Sequence, residues 1–151
     1  MLLMSSLSAQ TEKTTQVAKN AVLDVYYTHS TNRCAGCRAI EKETLQTLNS
    51  QFKQQMENGE IAVHIVNIDL KKNKEIVDEF EVWGSSLFIV KNGDTKNRTD
   101  LTKEGFAMAR TKPEEFHKVV AGSIKKLLNQ LAYKIIVRFP NFFFDKYSLL
   151  Q

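Results

Sequence analysis

The chain has 151 residues, 42% of them hydrophobic and 25% charged, and a formal net charge of +4 at pH 7. Such a length and composition fit one globular domain and exclude a fibrous or wholly disordered protein, and the interspersed basic and acidic residues argue against a nucleic-acid partner. Because the chain contains only two cysteines, a multi-bridge secreted scaffold and a four-thiolate zinc site within one chain are also excluded.

An N-terminal segment, residues 1–19, precedes the predicted domain. It opens with an apolar run that fades into serine and alanine and ends at Ala9. This pattern is typical of the second half of a secretory signal peptide, although the basic front part is missing. We therefore expect a truncated signal and a periplasmic or otherwise extracytoplasmic protein, with a floppy N-terminus and a cytoplasmic location as the alternative. Elsewhere no apolar run approaches the ~18 residues that span a bilayer, so we expect no transmembrane segment.

The first half of the predicted domain, which covers residues 20–131, alternates between strands and helices. Apolar residues recur there at the spacings of a buried strand or of one helical face. The predicted elements, in order, are a strand over 21–29, a helix from Cys34 to a stop at Asn58-Gly59, a strand over 61–68 and a helix over 71–80.

The second half is predicted to contain a β-hairpin and a closing helix. Asn92-Gly93 is the signature of a tight hairpin turn, here between strands over 86–90 and 96–101. Pro113 marks the start of a helix with a continuous apolar stripe. A strand–crossover–strand unit followed by a hairpin and a helix predicts the α/β class, with a mixed sheet of four to five strands and helices on both faces.

The C-terminal tail, residues 132–151, is unusually aromatic, and the predicted core is complete without it. We expect an extra strand or a poorly ordered tail. The alternative is a docking or membrane-surface segment, because exposed apolar clusters are typical of such sites.

The cysteines form the motif Cys34-Ala35-Gly36-Cys37 at the start of the first predicted helix. Random placement would put two cysteines three apart in about one case in 80, so chance is an inadequate account of the spacing. At a helix N-terminus, the unpaired N–H groups and the helix dipole favour a thiolate on the first sulfur. Cys34 is therefore predicted to attack a substrate disulfide, and Cys37, one turn on, to resolve the mixed disulfide.

Three nearby side chains are candidates for adjusting the acidity of the Cys34 thiol. Arg33 and Arg38 flank the pair, and a guanidinium near the sulfur would favour the thiolate; plain solvent exposure is the alternative. His29, at the end of the first strand, is a candidate proton carrier or third metal ligand, or a polar strand terminus. His64 is interpreted as structural, and His117 is given no functional role.

Over residues 20–129 the chain resembles the thioredoxin superfamily. The resemblance rests on the strand leading into the cysteine motif, on Asn67-Ile68-Asp69, and on Phe88-Ile89-Val90-Lys91-Asn92-Gly93-Asp94. It implies a thioredoxin-like fold with a redox-active cysteine pair. More narrowly, Asn32-Arg33-Cys34, Val66-Asn67-Ile68-Asp69 and Gly84-Ser85-Ser86-Leu87-Phe88-Ile89-Val90 resemble a small bacterial group described as nitrophenyl compound nitroreductase subunit.

The resemblance also locates a substrate loop. It places Ser86, after Gly84-Ser85, where the family carries a cis-proline facing the cysteines. A cis bond before a non-proline residue costs about 2.5–4 kcal/mol, so we expect a trans peptide here, with Ser85 and Ser86 forming the loop. Asp24 lies in the strand that carries a buried acid in the family, but the longer loop before Cys34 argues against Asp24 as a proton acceptor.

The leading hypothesis is a thiol–disulfide oxidoreductase whose partners are a protein or small-molecule disulfide and a redox partner protein. We predict no cofactor, because nitro reduction normally needs a flavin and the sequence contains neither a Gly-x-Gly-x-x-Gly fingerprint nor a second domain. We also predict no resident metal. The alternatives are a non-catalytic carrier that binds a soft ion at the cysteines, a partner-docking protein, and an electron-passing subunit of a larger reductase.

Overall fold

Four strands and five helices form the part of the chain that the computed structural model describes, residues 21–138. The strands are β1 (Leu23–His29), β2 (Ile61–Asn67), β3 (Ser86–Lys91) and β4 (Asp94–Asp100). The helices are α1 (Ala35–Gln51), α2 (Lys53–Glu57), α3 (Lys74–Phe80), α4 (Thr102–Met108) and α5 (Pro113–Arg138), and a 3₁₀ turn, Lys71–Asn73, precedes α3. The predicted signal segment, 1–19, lies outside the described residues.

The strands form one mixed sheet in the order β2-β1-β3-β4. β1 and β2 are parallel, as a strand–helix–strand crossover requires, whereas β3 is antiparallel to both β1 and β4. This arrangement confirms the predicted α/β class and the mixed sheet, and it is consistent with a thioredoxin-like fold. At the central position, β1 carries its C-terminal end directly into the segment that contains the cysteines.

Helices cover both faces of the sheet, as predicted, because β1 alternates its side chains between two apolar clusters. Val25 and Tyr27 belong to the larger cluster, which α1 and α5 complete with residues such as Leu48 and Phe116. On the other face, Tyr26 packs against the smaller cluster around Phe80 of α3. The sheet is therefore buried from both sides.

The β3–β4 connection is the predicted hairpin. Asn92 and Gly93 both have positive φ, 51° and 71°. This is the backbone of the turn that Asn-Gly favours, because its twist matches that of the flanking strands. The described strand bounds differ from the predicted ones by one or two residues.

The first predicted helix is not continuous to Asn58. It breaks at Phe52, whose φ of −132° lies outside the helical range and whose side chain is only 2% exposed. Leaving helical geometry allows the aromatic ring to be buried in the larger cluster, so core packing overrides the helical spacing of the sequence. The helix predicted over 71–80 likewise begins as a 3₁₀ turn.

The sequence did not predict α4. Its centre is Gly105, and because glycine is a poor helix former, helix propensity does not predict a helix here. A Cβ at Gly105 would lie 3.1 Å from side-chain atoms of Ile40, so the glycine permits close packing of α4 on α1. The preceding Asp100 accepts a hydrogen bond from the Thr102 amide at 2.8 Å, which helps to begin the helix.

The extra strand predicted in the tail is wrong for residues 133–138, because α5 continues through them to Arg138. After Pro113, α5 contains no further proline to break it, and the next proline in the sequence is Pro140. Tyr133 is 69% exposed on this extension. Residues 139–151 lie outside the described part of the chain, so the prediction for them stays a prediction.

Candidate functional site

The two cysteines form a disulfide where β1 leads into α1. Cys34 is the N-cap of α1 and is exposed, whereas Cys37 lies one turn inside the helix and is half-buried. The amide N–H of Cys37 donates to Sγ of Cys34 at 2.9 Å. In the reduced protein this donor and the positive helix end favour a thiolate at Cys34, so the exposed sulfur is suited to nucleophilic attack.

The two flanking arginines have different surroundings. Arg33 forms an ion pair with Glu41, and its guanidinium lies 5.6 Å from the ring centre of Tyr27. Arg38 is exposed and donates from Nη1 to the backbone carbonyl of Arg33 at 2.6 Å. The ion pair balances the charge of Arg33, which leaves Arg38 as the less compensated of the two predicted modulators.

His29 lies at the end of β1, half-buried, on the cysteine side of the sheet. Its Nδ1 lies 2.9 Å from the carbonyl oxygen of Ser30, and its ring stacks on Tyr27 at 5.9 Å between centres. Within residues 21–138, no group of three or more His, Cys, Asp and Glu side chains is arranged to hold a metal ion.

Tyr27 lies directly beneath the cysteine pair, and the sequence analysis did not assign it a site role. The side chain is fully buried, and its hydroxyl donates to the backbone carbonyl of Cys37 at 2.6 Å. The same hydroxyl lies 3.5 Å from Oγ of Ser85. Tyr27 therefore joins the first turn of α1 to the predicted substrate loop. Its place on the same strand face as Leu23 and Val25, where a buried tyrosine hydroxyl needs a hydrogen-bond partner, was the signal that could have identified it.

The predicted substrate loop, Ser85 and Ser86, lies beside the pair and is anchored by Thr28. The Thr28 hydroxyl donates to the carbonyl of Gly84 at 2.7 Å and accepts from the amide of Ser86 at 3.0 Å. None of the peptide bonds among residues 21–138 is cis, so the loop has the expected trans backbone. One buried hydroxyl thus satisfies a backbone donor and a backbone acceptor of the loop at once.

Replacing Thr28 with valine should destabilise the protein by about 1.5 kcal/mol, because it leaves the Gly84 carbonyl and the Ser86 amide without their buried partner. The shapes of the two side chains are nearly the same, so packing is preserved. Urea unfolding of Thr28→Val and of Thr28→Ser measures the effect. The serine variant keeps the hydroxyl and should retain most of the stability; equal losses in both variants would contradict the hydrogen-bond explanation.

Asp24 does not lie beneath the cysteines, in agreement with the sequence analysis. It faces the opposite side of the sheet from Tyr27, and its carboxylate lies 2.8 Å from Nε2 of His64. Tyr26 stacks on the His64 ring with 4.3 Å between centres. Burial, with added repulsion from Asp24 and then from Glu79, raises the pKa of Tyr26 to about 12. His64 is thus held by Asp24 and Tyr26, and its structural role stays a prediction.

Two exposed aromatic side chains adjoin the site, and neither was predicted as part of it. Phe106 of α4 is 50% exposed, and its ring lies 3.6 Å from where a Cβ on Gly36 would be. Trp83 is 95% exposed and immediately precedes Gly84 and the substrate loop. No signal in the sequence marks either residue, because apolar side chains that stand singly at a protein surface are common.

No helix within residues 21–138 combines the length and the apolar character needed to cross a bilayer. No protein-family model and no curated protein matches the chain. Among solved structures, the chain is similar to one titled "Structure of a malarial protein", with 20% identity and a TM-score of 0.40 over 62% of this chain and 97% of that one.

Proposed function

We propose that this protein is a thiol–disulfide oxidoreductase of the thioredoxin superfamily. The observation that carries the proposal is the asymmetric disulfide at the N-terminus of α1, in which Cys34 is exposed and Cys37 is half-buried. A substrate can reach only the first sulfur easily, while the second is held within bonding distance of it. The mixed sheet, with the cysteines at the end of its central parallel strand, supports the same assignment.

The reaction in the reducing direction has two steps. The Cys34 thiolate attacks one sulfur of a substrate disulfide, a Cys34–substrate disulfide forms, and the other substrate sulfur leaves as a thiolate. The Cys37 sulfur then attacks Sγ of Cys34, which releases the second substrate thiolate and forms the Cys34–Cys37 disulfide. Two electrons pass from the protein dithiol to the substrate, and the two thiol protons end on the two substrate thiols.

The surrounding residues support these steps in different ways. The Cys37 amide, 2.9 Å from Sγ of Cys34, stabilises the negative charge on that sulfur before it attacks the substrate disulfide. Tyr27 fixes the carbonyl of Cys37 from below, so the resolving residue is held in place relative to the sheet. Ser85 and Ser86 form the wall against which a substrate chain would lie. A redox partner protein would restore the starting state.

A redox titration of the cysteine pair tests this proposal. Metal-free protein is equilibrated across a series of reduced and oxidised glutathione mixtures, and free thiols are then alkylated and counted by mass. We expect one reversible two-electron transition between about −270 and −120 mV, the range of such couples. A pair that stays reduced throughout, or purified protein whose bound metal blocks alkylation, would contradict the proposal and favour the soft-ion carrier.

A further inference from the structure

A cleft runs along the first two turns of α1, and neither Ser85 nor Ser86 lines it. Its volume is about 400 Å³, and small side chains, Ala35, Ala39 and Ala109, leave space along its floor. α1 forms one wall, and the segment that joins α4 to α5 forms the other, which carries Arg110 and Pro113. The cleft begins at Ala35, the residue next to Cys34.

The charges that line this cleft are predominantly positive. Arg38, Lys42 and Arg110 line it, and Glu43 is its single carboxylate. The Glu43 carboxylate is already bonded, to Nζ of Lys42 at 2.7 Å and to Nε2 of His117 at 2.7 Å. Lys42 is therefore balanced, whereas neither Arg38 nor Arg110 has a carboxylate at ion-pair distance among residues 21–138.

Arg38 lies near the reactive cysteine along the helix, and Arg110 lies in the same cleft. The amide of Arg38 donates to the carbonyl of Cys34 at 3.1 Å, so Arg38 is one helical turn, about 6 Å of rise, from the N-cap. Arg110 lines the same cleft from the segment that joins α4 to α5. Two guanidinium groups that lack a carboxylate partner of their own are well suited to bind one, because each offers a planar pair of N–H donors.

We propose that this cleft binds the carboxylate of a small anionic disulfide while Cys34 attacks the sulfur. The inference rests on the proposed function and adds a substrate class to it: disulfides that carry a carboxylate a few bonds from the sulfur. The pair of cations selects such substrates over neutral and cationic ones of the same size. Neither Arg38 nor Arg110 takes part in bond making; both are positioning residues.

Three disulfides of nearly equal size test this selection. They are 3,3′-dithiodipropionate, 2-hydroxyethyl disulfide and cystamine, which carry negative, zero and positive charge. Their rates of reaction with Cys34 are measured at low ionic strength in the Cys37→Ser protein, where only the first step occurs. We expect the anion to react fastest, and Arg110→Gln or Arg38→Gln to lower its rate relative to the neutral disulfide by about three- to fivefold. Added salt should reduce the preference.

Lys126→Gln is the matched control, because this exposed lysine lies on α5 about 20 Å along the helix from Pro113. It should leave all three relative rates unchanged. If Arg110→Gln lowers the rates of all three disulfides by the same factor, the arginine acts on Cys34 rather than on the substrate, and the inference is overturned. A preference for cystamine would also overturn it.

A binding measurement separates this inference from the proposed function. The unreactive thioether 3,3′-thiodipropionate is titrated into the oxidised protein while the NMR signals of Ala109 and Arg110 are followed. Saturable shifts that Arg110→Gln abolishes support the cleft as a carboxylate site even if no disulfide reacts, an outcome that would refute only the oxidoreductase. If the disulfides react but the thioether causes no shift, the cleft is refuted and the oxidoreductase stands.

Discussion

Replacing Cys34 with serine should reduce disulfide exchange to the background rate of the buffer, whereas replacing Cys37 with serine should leave the first step intact and stop the second. The serine hydroxyl at position 34 cannot ionise under conditions in which a thiol does, so no nucleophile remains at the exposed N-cap. Cys37 cannot substitute for it, because its sulfur is half-buried one turn inside α1.

The two variants are distinguished by the product that each accumulates. Incubated with a large excess of 2-hydroxyethyl disulfide, Cys37→Ser should gain one mercaptoethanol adduct per chain, on Cys34, and hold it for much longer than the wild type does. Cys34→Ser should stay unmodified on that timescale. Mass spectrometry of the intact protein under acid quench measures both. Equal labelling of the two variants would show that the helix-opening geometry does not divide the roles of the cysteines.

Periodicity and turn chemistry predicted most of the fold because they are local properties. The buried strand β1, the Asn92-Gly93 hairpin and the start of α5 at Pro113 each follow from residues that lie next to one another in the sequence. The features of the fold that differ from the prediction come from packing between residues that are far apart in the sequence. Phe52 leaves the helix to be buried, and Gly105 lies in a helix because α4 must approach Ile40 closely.

The candidate site likewise contains residues that a local motif predicts and residues that only long-range contacts bring together. The spacing of Cys34 and Cys37 predicted the pair and its place at a helix N-terminus, because both are consequences of a four-residue motif. Tyr27 and Thr28 could not be found in that way. The Tyr27 hydroxyl bonds to Cys37, beyond the loop that follows β1, and the Thr28 hydroxyl bonds to Gly84, which is far away in the sequence. Only the tertiary structure shows that these groups are in contact.

The second large effect is expected at the α1–α5 interface, where the buried Glu43 pairs with the half-buried His117. Glu43 is 6% exposed, and one of its oxygens lies 2.7 Å from Nε2 of His117. Its other oxygen accepts from Lys42, and the exposed Glu114 lies 3.9 Å from Nδ1 of His117. The hydrogen bond from Lys42 and that from His117 together outweigh burial and lower the pKa of the Glu43 carboxyl from its ordinary value of 4.5.

His117→Leu should lower the free energy of unfolding by about 2 kcal/mol at pH 7, because it leaves the Glu43 carboxylate with only one of its two partners. A group whose pKa is lower in the folded state stabilises the fold above its unfolded pKa and loses that contribution as pH falls through the folded value. The difference in free energy of unfolding between the wild type and His117→Leu should therefore become smaller below about pH 4.5. Urea unfolding at a series of pH values measures it.

Two controls make the prediction specific. Glu43→Gln removes the carboxyl whose pKa is lowered. In that background, adding His117→Leu should change the free energy of unfolding by the same amount above and below about pH 4.5. Asp78→Asn breaks the exposed pair with Lys74, in which both side chains are more than half exposed, and should cost at most about 0.5 kcal/mol at any pH. If His117→Leu is as stable as the wild type at pH 7, hydrophobic packing at the helix interface outweighs the pair, and Glu43 is held by Lys42 alone.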